Sequence, residues 1–132
     1  QRVSMTSVRN DILAGLTTAQ RAKLRMVFST ACYGESHRLR WIGAGFKAVS
    51  GSRAIYADSA TSYLPFLISW ANGSTFNQAV TNANNADLLR LQDAAAKPIL
   101  YFAGFANWND VDSYRLVMGS TAALNLRINT ML

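Results

Sequence analysis

Apolar residues along this chain change their spacing several times, and each change marks an element. Over residues 7 to 16, Val8, Ile12, Leu13 and Leu16 recur at helical intervals, with Gly15 placed where such a helix stops. Thr17 and Gln20 match a capping box that opens a further turn or two towards Leu24. Residues 24 to 30 are mostly apolar, carry Val27, Phe28 and Thr30, and are too few for a stable helix, so they predict a buried strand. Helical spacing returns at 38 to 44 with Leu39, Trp41 and Ile42, and Gly43 and Gly45 end it. Residues 46 to 51 then read as a second short strand.

In the second half, Asp58 or Ser59 caps a helix to Asn72 that puts Tyr63, Phe66, Leu67 and Trp70 on one face, with Pro65 tolerable near its start. Asn72-Gly73 supplies a left-handed cap, and Thr75 with Gln78 a second capping box. The next helix runs through Phe76, Val80, Ala83, Leu88 and Leu91 to about Ala96, with a break expected near Asn84-Asn85. Pro98 restarts an extended run over 99 to 103, a polar loop with Trp108 follows, and 114 to 118 and 124 to 128 are strand candidates. Strands alternating with helices, without repeat or linker, predict a single α/β domain over residues 1 to 132.

Charge narrows the picture little. Thirteen Lys and Arg against seven Asp and Glu give +6, which permits general attraction to acidic surfaces. The basic residues are scattered, however, and only Arg38, Arg40 and Lys47 cluster, which argues against a nucleic-acid module. No apolar run reaches the ~20 residues that span a bilayer, so no membrane span is expected. The start lacks the apolar core of a signal peptide and reads as a processed or trimmed polypeptide. Gly43, Gly45 and Gly51 do not make a dinucleotide fingerprint, because they precede the strand instead of following it. One cysteine and one histidine make neither a disulfide nor a structural zinc site, no other cofactor is implied, and the compartment stays open.

The candidate chemistry is therefore at Cys32, directly after the first predicted strand. Ligands of open α/β sheets bind outside the carboxyl ends of the strands, which makes a thiol there a candidate nucleophile. Lone cysteines are commonly small core residues, but Tyr33, Gly34, Glu35 and Ser36 are turn-forming or polar and place this one in a surface loop.

The order of motifs resembles the C-terminal half of caspase-like (clan CD) cysteine peptidases, the group of legumains, gingipains and CHAT domains. Val27-Phe28-Ser29-Thr30-Ala31-Cys32-Tyr33-Gly34 is similar to the family's strand with its nucleophile segment. The stretch from Trp41-Ile42-Gly43-Ala44-Gly45 to Ala48-Val49-Ser50-Gly51 resembles its helix-to-strand step, and Phe66 to Trp70 with Gly73-Ser74-Thr75-Phe76 and Ala79-Val80 its helix pair. More loosely, the stretch from Tyr114 to Ser120 echoes a late strand end.

The resemblance implies a three-layer caspase-like sheet with flanking helices, incomplete without earlier strands, and thiol-dependent hydrolysis of a peptide substrate with Cys32 as nucleophile. Backbone amides around Ala31 to Tyr33 would then hold the oxyanion. The family's histidine lies on an earlier strand, and no histidine precedes residue 24 here. Three readings follow: a second chain carries the N-terminal strands and the histidine; His37 stands in; or the dyad is lost and the chain is a noncatalytic structural or self-assembling protein, a homo-oligomer. Ser52, Arg53 and Asp58, after the second strand, are the substrate-pocket candidates. An acidic Asp58 there would favour a basic side chain, although capping the next helix is its simpler role.

Overall fold

The computed structural model describes residues 4 to 54, 59 to 104 and 112 to 129. Helix α1 (Met5–Gly15) begins at Ser4, whose hydroxyl accepts the Ser7 N–H, and the short α2 (Thr18–Arg21) opens on the expected Thr17 and Gln20 capping box. Strand β1 (Met26–Phe28) follows, then a 3₁₀ turn (Gly34–His37) that runs into α3 (Arg38–Ala44), and strand β2 (Ala48–Ser52). Helices α4 (Ser59–Ala71), α5 (Phe76–Ala86) and α6 (Leu88–Phe102) come next, before β3 (Arg115–Gly119) and α7 (Thr121–Leu124). The fold is mixed α/β. Its sheet has the order β1-β2-β3 among the described residues, β1 parallel to β2 and β3 antiparallel to it.

Register decides what each face of the sheet carries. Met26 pairs with Ala48 and Phe28 with Ser50, while Ser50 faces Val117 and Ser52 faces Arg115. One face therefore shows Met26, Phe28, Ala48 and Val117, which pack with Phe66 and Trp70 of α4 and Phe76, Val80 and Ala83 of α5. The Phe66 ring stacks on Phe28 at 4.2 Å and meets Phe76 edge-on at 5.9 Å. Each such side chain contributes about 1.5–3 kcal/mol of transfer free energy, so the core sits on this face.

The opposite face carries Gly51, and the 3₁₀ turn lies directly on it. A Cβ at Gly51 would stand 2.2 Å from the Gly34 carbonyl carbon. Only two glycines permit backbone to approach backbone so closely. Arg38 holds the same layer, donating to the Val117 carbonyl at 2.9 Å and pairing with Glu35 at 2.8 Å.

Two strand expectations are corrected. The run 99 to 103 is not extended: α6 continues through Pro98 to Phe102. Pro removes one hydrogen bond but need not end a helix, and Leu88, Leu91, Ala95, Ile99 and Phe102 keep helical spacing across it, on an exposed face. Residues 124 to 128 are not a strand either, because Ser120 accepts the Ala123 N–H at 3.2 Å and opens α7 instead. The break near Asn84-Asn85 falls at Asp87, which separates α5 from α6. Trp108 and Phe105 lie outside the described residues, and Trp41 is half-buried edge-on to Phe46 at 5.5 Å.

Among the described residues strand β1 is an edge. The Ser29 N–H donates to the Ser50 carbonyl and the Ala48 N–H to the Arg25 carbonyl, so the alternate residues Met26 and Phe28 turn their backbone groups away from β2. Among the described residues no hydrogen bond reaches those outward groups.

Candidate functional site: the Cys32 loop

Cys32 sits on an exposed loop at the carboxyl end of β1. The loop is short, and most of its polar backbone is committed. Tyr33 takes a left-handed conformation at φ 52 and ψ 31, unusual for a residue with a side chain. Its N–H donates to the Ala54 carbonyl at 2.8 Å, and the Gly34 N–H closes a turn onto the Ala31 carbonyl at 3.0 Å. The buried Ser52 hydroxyl lies 2.9 Å from the Ala31 carbonyl and 3.2 Å from that of Ala54. Ser36 returns both its N–H and its hydroxyl to the Tyr33 carbonyl. This net bends the chain sharply and turns Cys32 outward.

Of the amides expected to hold an oxyanion, Ala31 donates to the Ser29 hydroxyl at 3.4 Å and Tyr33 to Ala54. The Cys32 N–H alone among them has no partner within the described residues. The loop thus offers one free amide beside the thiol.

His37 ends the 3₁₀ turn and stands at the N-cap of α3 without a capping bond. Among the described residues no hydrogen bond joins it to Cys32, five residues before it. Ser52 is buried and its observed contacts support the loop. Arg53 is half-exposed, reaches Asp112 at 3.4 Å and lies over the Tyr114 ring at 5.1 Å. With Tyr33, Ser36, Leu39 and Met118 it lines an open cavity of about 320 Å³ beside the loop. Asp58 lies outside the described residues. Among the described residues no cluster of three His, Cys, Asp or Glu is placed to hold a metal ion.

One contributor was missed in the sequence. Arg115, 2% exposed, is the first residue of β3, and its guanidinium lies 3.6 Å over the Phe28 ring. It donates to the Ser50 hydroxyl at 3.2 Å and to the Ser29 carbonyl at the exit of β1. Its own backbone is clamped by the Asn84 side chain, at 2.9 Å on the N–H and 3.0 Å on the carbonyl. A charged residue at the start of an apolar strand, in register with Val117 on the core face, was the available signal.

No family model matches the chain, and neither a curated protein nor a solved structure is similar to it. The functional argument therefore rests on this geometry.

Proposed function

We propose that the chain is the nucleophile-bearing part of a caspase-like cysteine peptidase, a three-layer α/β domain whose remaining strands and catalytic histidine come from another segment or chain. The supporting observation is the coincidence of an outward-turned Cys32 with an amide that has no partner among the described residues, at the carboxyl end of a strand that, among those residues, is an edge with unpaired outer backbone groups. Helices α4 and α5 on one face of the sheet and the 3₁₀ turn on the other are compatible with such layering. In this reading a segment pairing along β1 brings its own strand end beside Cys32 and there supplies the base.

In that reading the histidine takes the thiol proton and Cys32 Sγ bonds to the scissile carbonyl carbon, its oxygen becoming an oxyanion held by the Cys32 N–H. The C–N bond then breaks, the departing amine takes the proton from the histidine, and a thioester remains. Water, deprotonated by the same histidine, cleaves it to a carboxylic acid and returns the thiol. In this reading a substrate side chain enters the cavity that Arg53 lines beside the loop. The test is to treat the protein from its native source with peptidyl acyloxymethyl ketones and map the adduct by mass spectrometry. A thioether on Cys32 is expected. Native protein that leaves Cys32 unlabelled by both acidic and basic peptide probes removes the peptidase reading.

The second reading, noncatalytic assembly, is favoured by a different observation. Tyr63, Leu64, Leu67 and Ile68 form an exposed apolar stripe on α4, next to the open edge at β1, where the Tyr63 ring stands 5.7 Å from Phe28. Sedimentation of the chain alone distinguishes the two: concentration-dependent association supports assembly, and a monodisperse monomer opposes it.

A further inference from the structure

Arg115 occupies a place that neither the core nor the ladder requires. A buried cation is costly unless its donors are met, and a strand position against Phe28, on the same face as Val117, would be filled more cheaply by an apolar side chain. The guanidinium instead reaches across the sheet: it starts on β3, donates to Ser50 of β2 and ends on the Ser29 carbonyl just past β1. Ser29 is also where the loop begins. Its N–H pairs with Ser50, its hydroxyl receives the Ala31 N–H, and its side chain lies 3.0 Å from where a Cβ of Gly34 would be.

We infer that Arg115 is a positioning residue for the Cys32 loop: by holding the Ser29 carbonyl from inside the sheet it sets the direction in which the chain leaves β1 and so the placement of the thiol. The planar fork suits this task, because two of its nitrogens engage two acceptors at once while the face rests on Phe28. Asn84 in turn fixes the backbone from which the fork projects. The inference draws its catalytic meaning from the peptidase reading, but its test needs no catalysis, so the two fail separately.

The experiment compares the wild-type chain with Arg115→Met and Arg115→Lys, reading the rate of Cys32 alkylation by iodoacetamide and amide hydrogen exchange in peptides covering 29 to 34 and 76 to 86. Circular dichroism confirms folding. Met removes both donors, so exchange over 29 to 34 should rise about tenfold while 76 to 86 stays near wild type, and the alkylation rate should shift with it. Lys, with one nitrogen, keeps one of the two acceptors and should give a selective rise of about threefold. If Met does not fold, Lys decides alone. Unchanged exchange over 29 to 34 in a folded variant, or an equal rise in both segments, overturns the inference.

Discussion

The two faces of the sheet are built by different means. On the face covered by α4 and α5, Phe28, Phe66, Trp70 and Phe76 interlock as rings, and the contacts are between side chains. On the face covered by the 3₁₀ turn, Gly34 lies on Gly51 and the contact is backbone on backbone, tied by Arg38 to Val117. Apolar burial supplies most of the stability, whereas close backbone approach supplies little area but dictates shape. The first face should therefore govern how stable the domain is, and the second how Cys32 is presented.

Phe66→Ala should break the first face most severely. Phe66 is fully buried between Phe28 and Phe76, so truncation should cost about 3–5 kcal/mol in urea unfolding. Cys32 alkylation, measured where the variant is still folded, should stay close to wild type. A cost below about 1 kcal/mol would mean that the aromatic stack is not the core it is taken to be.

Gly51→Ala tests the second face. The added methyl would stand 2.2 Å from the Gly34 carbonyl carbon and 2.5 Å from the Glu35 nitrogen, both backbone atoms that cannot swing aside. The turn must lift off β2, at about 1–3 kcal/mol by analogy with overpacked cores. Here the rate of Cys32 alkylation should change more, in proportion to stability lost, than it does for Phe66→Ala. Equal ratios in the two variants would dissolve the division between the faces.

Much of this was readable in the sequence because local signals and tertiary packing agree. The capping boxes at Thr17 and Thr75, the helix over 38 to 44 and the strand ending at Ser52 all carry their cues within a few residues. The failures have one cause, a local cue overruled by its neighbours. Pro98 suggested a restart, yet the alanine-rich turns before it and the continuing apolar stripe kept α6 helical; Leu124 and Ile128 suggested a strand, yet Ser120 capped a turn of helix first. At the site, Cys32 and its loop were legible from turn chemistry. Arg115 was not, because its role depends on Asn84, Ser50 and Ser29, which meet only through long-range register.

The smallest expected difference sharpens the comparison furthest, because the same motif occurs in two settings. Thr75 and Thr17 each accept from an N–H three residues on, Gln78 at 3.2 Å and Gln20 at 3.3 Å, and each donates its own N–H to that glutamine's Oε1 in return. Thr75 is buried and opens α5, which packs on the core face, while Thr17 is exposed and opens the single turn of α2. An N-cap lost in a buried setting leaves its N–H without water to replace the hydroxyl, whereas an exposed one is resolvated. Thr75→Ala should therefore cost about 1–2 kcal/mol and Thr17→Ala about 0.5 kcal/mol, read as a difference in urea midpoint. Were the two costs the same, cap strength would be a property of the motif alone. The core face would then owe its stability to ring packing with no added contribution from how its helices begin.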